Sequence, residues 1–573
     1  MKLLCALCVL CGLGVQGFAL DREAFTFINY NLTVQLEPEQ QRIGVRGKIT
    51  LRNDSNVSQK NATLQVSSSL SWRSIQLDSK PLEFISQSYT SDIDHTGVLS
   101  EAIVTLPQAI SPHGTVELEI GYEGTIPLDT TRLMRIGVPQ EQAKHTDWDQ
   151  ISSEFTAVRG IGYVTWYPVA TEGANLSEGD SVFEVVGRWK ARENSASMHF
   201  NLQYPTLPGD APVPAMLCDG KELRVVTKGG SPQFPWMQCD IVPVGLTVPA
   251  FAIAYYDYLE RLPISVFTLP NHKSEAEDYV AAVQKIAPFV FQWFGTPRTG
   301  IVLAELPDSS TLPFESGSLL WTSLAGADSK LMELTAVRQL THASFTSPRP
   351  WISEGLSHFA QALYREEQDG RSAAFSFMKS HEQMMLAAEK EHAEDKTVAQ
   401  NSLINTSVEE LYRGKAMYVW WMLRDMVGEP SLKRVLATYN PEQDKEPAYM
   451  QHLIEAQSKR DLTEFFDDWV YHDKGLPDFR VATVFSSKNP KEGYLVTVTV
   501  ENLGNAGAEV PVAVRYAEGE ATARVEVHGK SKASVRVAIP TLPNYVTVND
   551  GSVPESDVSN NVFKVEAVVP DNH

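Results

Sequence analysis

Between residues 25 and 258, apolar and polar positions alternate in short runs broken by turn residues, as in Leu32-Thr33-Val34-Gln35-Leu36 and Val116-Glu117-Leu118-Glu119-Ile120. A period of two sends successive side chains to opposite faces of a strand, so this stretch predicts a β-rich N-terminal domain over 20–260. The rhythm changes near Ser274. Val280, Val283, Ile286, Ala287, Val290 and Phe294 recur at intervals of three and four and stop at Gly295, with Pro297 just beyond, which predicts a helix. Similar spacing at 330–345, 352–367, 373–391, 408–426 and 462–471 makes 261–477 a mainly α domain. After Lys474-Gly475-Leu476-Pro477 the alternation returns, for example over Tyr494-Leu495-Val496-Thr497-Val498-Thr499-Val500, with turns every 8–12 residues. That spacing predicts a C-terminal β-sandwich of immunoglobulin type over 478–573. The expected class is multidomain α+β.

Composition narrows the function more than the fold. At about 150 residues per domain, 573 residues allow about three to four domains. With 49 Lys and Arg against 71 Asp and Glu the chain carries −22, a field that repels phosphate backbones, so nucleic acid is not expected as a partner. Lys2, the apolar run Leu3 to Val15, and small residues at Gly17 and Ala19 have the layout of a secretory signal peptide over 1–19. The run is shorter than the ~20 residues that span a bilayer, and no later segment qualifies, so a secreted or periplasmic protein without a transmembrane segment is expected. Cys5, Cys8 and Cys11 would leave with the leader. Cys218 and Cys239 remain, an even pair flanking a Gly- and Pro-containing stretch, and predict a hairpin-closing disulfide in an oxidising compartment.

The candidate chemistry sits in the α region. Arg338 and His342 are four apart and face the same way on one predicted helix, and Glu354 stands early on the next. Two positions at i and i+4 followed by a Glu on a second helix are the layout of a HExxH-type zinc site. Four stretches occur in order: Phe314-Glu315-Ser316-Gly317-Ser318-Leu319-Leu320, Arg338-Gln339-Leu340-Thr341-His342, Ser353-Glu354-Gly355, and Tyr412-Arg413-Gly414-Lys415-Ala416. Together they resemble the GAMEN, HExxH, NEGFA and Tyr-x-Lys-Gly motifs of the gluzincin aminopeptidases, the family of alanyl aminopeptidase and leukotriene hydrolase. Trp469-Val470-Tyr471 and Gly475-Leu476-Pro477 resemble the end of that family's thermolysin-like catalytic domain.

The resemblance implies that Glu315 binds a substrate's free amino group, that His342 and Glu354 are the second and third zinc ligands, and that Tyr412 stabilises the tetrahedral intermediate. Arg338 falls where the first zinc-binding histidine belongs, and Gln339 where the general-base glutamate belongs. Guanidinium has five donors and no lone pair, so Arg338 cannot ligate a metal. Glutamine can orient a water but cannot deprotonate it. Arg338 is instead expected to form a bidentate ion pair with Glu354. The connection 343–353 is also shorter than the family's.

Three functional readings follow. One is a pseudo-peptidase that binds peptides or protein partners without cutting them. A second keeps zinc on a rearranged set, His342, Glu354 and His358, since His358 is four residues after Glu354 on the same helix. The third is an adhesion or docking protein acting through the C-terminal sandwich, whose Pro554-Glu555-Ser556-Asp557 and Asn560-Asn561 resemble the closing turn of bacterial cell-adhesion modules. Tyr418, Trp420 and Trp421 read as core.

Overall fold

The computed structural model describes residues 20–565 except 90–98, 132–133, 135–137, 161–163, 170–191, 206–213, 220, 223–224, 232–233, 246–247, 298–299, 317, 327, 395–401, 405, 407, 409, 473 and 490–491. The leader expected at 1–19 lies outside the described residues. Contacts divide the chain into two compact units, and among the described residues the division falls between Ala254 and Tyr255.

The first unit is built on an eight-stranded sheet. Strand Phe25–Glu37 pairs antiparallel with Arg42–Asn53, setting Val34 opposite Val45, and parallel with Ser197–Gln203 on its other side. The alternation of the sequence is realised directly: Leu32, Val34 and Leu36 are buried while Asn31 is exposed. Sheets of three and four strands complete the unit around one hydrophobic core. Cys218 and Cys239 are bonded, but the bond does not close a hairpin. Cys218 ends Ala215–Cys218 in the four-stranded sheet, whereas Cys239 lies in Phe234–Ile241 of the eight-stranded one. Val225–Ser231 takes the hairpin partnership with Phe234–Ile241, so the disulfide staples two sheets.

The second unit opens with a five-stranded sheet ordered Asp257–Arg261, Ile264–Thr268, Ile301–Glu305, Leu319–Thr322, Phe314–Ser316. Its last strand, antiparallel to Leu319–Thr322, is the edge that carries Glu315. Helices Lys273–Phe294, Ser329–Ser344, Pro350–Asp369 and Arg371–Glu394 follow, close to their predicted limits. The stretch predicted as one helix over 408–426 is divided into a π-helical turn, Glu410–Lys415, and the helix Ala416–Val427. Pro350–Asp369 packs on Ala416–Val427 at Gly355, where a Cβ would lie 2.6 Å from Ala416 Cβ, so glycine is what lets these two helices approach. Tyr418, Trp420 and Trp421 are buried core, as their spacing indicates.

Seven C-terminal strands form two antiparallel sheets, of three strands (Phe479–Lys488, Tyr494–Asn502, Lys532–Ile539) and four. They share a continuous hydrophobic core with the helices. The indole Nε1 of Trp469 donates to the Gly507 carbonyl and the Gly507 amide donates to Asp468, both at 2.7 Å. The closing turn is held from inside. Glu555 accepts from the Phe479 amide (2.7 Å), from Asn561 Nδ2 (2.8 Å) and from Asn549, while the Ser556 amide donates to the Pro477 carbonyl at 3.0 Å. Among the described residues no helix is long and apolar enough to cross a membrane.

Candidate functional site

Four elements of the second unit deliver the site. Helix Ser329–Ser344 starts at Asp328, whose carboxylate accepts from the Lys330 and Leu331 amides at 2.9 and 3.3 Å, and it sends Arg338 and His342 from one face. Helix Pro350–Asp369, with Pro350 in its first turn, supplies Glu354; the sheet edge supplies Glu315, and the π-helical turn supplies Arg413.

These side chains meet around the Glu354 carboxylate, which is fully buried. Its Oε2 accepts from Arg338 Nη2 and from Arg413 Nε, each at 3.1 Å. Its Oε1 lies 3.1 Å from His342 Nε2. Glu315 Oε2 lies 3.6 Å from Arg338 Nε and 3.5 Å from His342 Nε2. Two carboxylates are therefore interleaved with two guanidinium groups and an imidazole, all with little exposure. Arg338 does not form the expected bidentate pair with Glu354. One nitrogen reaches Glu354 and another faces Glu315, because the edge strand brings a second carboxylate within range.

The charges reinforce one another. Burial works against ionised Glu354, but His342 and Arg338 outweigh it and hold the carboxyl well below the usual range. Burial likewise disfavours protonated His342, and Glu354, helped by Glu315, overrides it and raises the imidazole above its ordinary value. His358 behaves in the opposite way. Burial and the neighbouring Arg338 charge push it down to about 3, so it is a neutral imidazole. Its Nδ1–H donates to the Glu354 main-chain carbonyl at 3.0 Å, and its ring meets His381 edge-on at 5.5 Å between centroids.

The remaining expected residues are placed as follows. Gln339 is buried, its Oε1 accepting from the Tyr279 hydroxyl at 2.6 Å and its Nε2 donating to the Val302 carbonyl at 3.3 Å. Burial and Glu315 raise the Tyr279 phenol well above its ordinary value, so that donor stays protonated. Both ends of the amide are thus engaged by neighbouring core groups. Tyr412 is buried on the same π-helical turn as Arg413. Sequence reasoning passed over Arg413 although it sits inside the Tyr412-Arg413-Gly414-Lys415 stretch; a second arginine among the motif residues, after Arg338, was the available signal.

No family model matches the sequence, and no curated protein matches it. Among solved structures, aminopeptidase A of Legionella pneumophila in complex with aspartic acid is similar with a TM-score of 0.61 and 12% identity, over 93% of this chain and 59% of that one. The chain shares its fold with an aminopeptidase. It spans 59% of that protein's length. An M1 zinc metallopeptidase of Deinococcus radiodurans bound to a Tyr-Ser-Ala substrate aligns at a TM-score of 0.48 and 14% identity, over 79% of this chain and 95% of that chain.

The aminopeptidase fold raises the question of zinc, and the side chains present do not fit it. A catalytic zinc typically takes three protein ligands and a water. Here Arg338, a guanidinium without a lone pair, lies against Glu354 beside Arg413, and an ion placed on Glu354 would face the charges of both. His358, the proposed replacement ligand, donates its Nδ1–H to a main-chain carbonyl, which leaves Nε2 as its metal-facing atom, and the Arg338 charge lies close enough to depress its protonation. Among the described residues no group of three or more His, Cys, Asp or Glu side chains is arranged to hold a metal ion.

Proposed function

We propose that this chain is a secreted protein of the metallo-aminopeptidase type that binds peptides or protein partners at the Glu315–Glu354 site and does not hydrolyse them. One observation carries the reading: Arg338 lies between Glu315 and Glu354, in contact range of both, where hydrolysis by this fold would need a metal ligand. Gln339 adds to it, since an amide engaged by Tyr279 and Val302 is no general base. The neighbours offer no ready replacement: the carboxylates are engaged in ion pairs, and among the described residues no three His, Cys, Asp or Glu side chains are grouped to hold an ion.

Binding does not need that chemistry. Glu315 retains a carboxylate at the position where the resemblance expects a free amino group to be held. That carboxylate is already approached by Arg338 and His342, so a ligand ammonium competes with two internal partners and affinity should be modest.

The experiment is hydrolysis of aminoacyl amides by the purified protein, run beside calorimetric titration with short peptides whose amino terminus is free or acetylated. The reading expects no turnover, and binding of the free amino terminus that Glu315→Gln weakens. Metal-dependent turnover abolished by chelation would overturn it in favour of a zinc site, and removal of His358 by His358→Ala would then show whether the rearranged set holds the ion. The docking reading has less support: the C-terminal sheets share one core with the helices and are pinned through Trp469.

A further inference from the structure

We propose that the Arg338 guanidinium stands in for the metal as the fixed positive charge of this site, joining Glu315 to Glu354 so that the cleft is assembled without an ion. The argument is one of connectivity. Glu315 belongs to a sheet edge, Arg338 and His342 to one helix, Glu354 to the next, and Arg413 to the π-helical turn. A cation contacting the carboxylates of the first and third of these elements ties them to the second, and Arg338 does so at 3.6 and 3.1 Å. Arg413 adds the fourth element through the same Glu354 oxygen.

Two carboxylates brought together in a buried site repel unless one takes a proton or a cation lies between them. The chain's own groups serve that purpose: Arg338, whose side chain is only 12% exposed and whose charge is permanent, with His342 of the same helix 3.5 and 3.1 Å from the same two carboxylates. Arginine suits the position better than lysine because its planar fork presents separate donors to separate acceptors. The same charge excludes a divalent ion, so Arg338 and zinc are alternative occupants of one place.

A consequence for ligands follows from donor chemistry. Guanidinium offers N–H groups and no vacant coordination position, so an incoming polar group at Arg338 binds as a hydrogen-bond acceptor, with carbonyls and carboxylates the best matched. Thiolates and hydroxamates, whose tight binding to metalloenzymes comes from metal coordination, lose that advantage here and bind no better than other acceptors.

The test is thermal unfolding and zinc content of the full chain and its Arg338 variants, each with added zinc and with chelator. The wild type should hold no stoichiometric zinc, and neither addition should move its Tm. Arg338→Ala should lower Tm by about 5 °C or more, since removing one partner strands the others in a buried site. Arg338→Lys, which keeps the charge but loses the fork, should fall between the two. Arg338→His should gain zinc, and zinc should raise its Tm. A wild type that takes up zinc and is stabilised by it would overturn the proposal, as would an Arg338→Ala protein as stable as the wild type. If Arg338→Ala does not fold, Arg338→His decides: no zinc uptake and no Tm response refute the alternative-occupant argument. Hydrolysis by a zinc-free chain would overturn the non-hydrolytic reading above and leave this one standing.

Discussion

Replacing Glu354 by glutamine removes one charge and almost no volume, and it removes the anion on which Arg338, Arg413 and His342 all converge. At the 3.1 Å seen for each contact and an effective dielectric near 20, each pair is worth up to about 5 kcal/mol before the cost of taking both ions out of water. That cost cancels most of the gain in the intact network. It is not recovered when one partner disappears, because the three cationic groups stay buried with an amide in place of their anion. Glu354→Gln should therefore destabilise the second unit by about 3–5 kcal/mol. The helical circular-dichroism signal reports on that unit: among the described residues the first unit's one substantial helix is the short Gln140–Thr146. Denaturant unfolding followed by this signal gives the change, and the first unit's transition should not move. Combining Glu354→Gln with Arg338→Met should cost less than the sum of the two, by about 1–3 kcal/mol, because each change removes the other's reason for being costly. A loss below about 1 kcal/mol, or strict additivity, would refute the claim that these charges act as one network.

Gly355→Ala should destabilise the same unit by about 1–3 kcal/mol, since the added methyl meets Ala416 at 2.6 Å; unchanged denaturant midpoints would show that the helices can separate freely. Reducing the Cys218–Cys239 bond, which spans a sequence separation of 21, should lower the first unit's unfolding free energy by about 3 kcal/mol and leave the helical transition in place. Burial pushes the Glu555 carboxyl up to about 7 despite its three N–H donors. Because the folded-state value lies above the unfolded one, its stabilising contribution is complete below about pH 4.5 and is lost as pH rises through about 7, up to about 3 kcal/mol in all. Glu555→Gln cannot titrate, so the difference in Tm between wild type and variant should change across pH 5–8; a constant difference would show that Glu555 does not change charge there.

The parts of the fold that the sequence announces are those in which burial follows a strict period. Leu32, Val34 and Leu36, or Val280, Val283 and Ile286, face a core because their spacing leaves them no other common direction. Helices Glu429–Thr438 and Tyr449–Ser458 escaped notice: each is ten residues long, and the first begins at Gly428-Glu429-Pro430, which reads as a stop signal as readily as a start. The π-helical turns at 410–415 and 467–471 were hidden inside helical periodicity because one extra residue in a turn barely disturbs it. Pairing between strands is non-local, so nothing between Cys218 and Cys239 revealed that they belong to different sheets.

In the site, the motifs located Glu315, Arg338, His342 and Glu354, and residue chemistry alone excluded Arg338 as a ligand. Partners were less legible than positions. The bridging of Glu315 and Glu354 depends on how a sheet edge meets two helices, and the engagement of Gln339 depends on Tyr279, 60 residues away in sequence. His358 shares a helical face with Glu354, yet its local hydrogen bond to a carbonyl one turn back fixes its Nδ1.

The most direct test of the account is elemental analysis of the full chain, purified in the presence of excess zinc and then freed of loosely held ions. The account predicts no stoichiometric zinc in the wild type, because the Arg338 guanidinium already fills the place between Glu315 and Glu354. Stoichiometric zinc that survives the wash and is lost on substitution of His342 or Glu354 would contradict it.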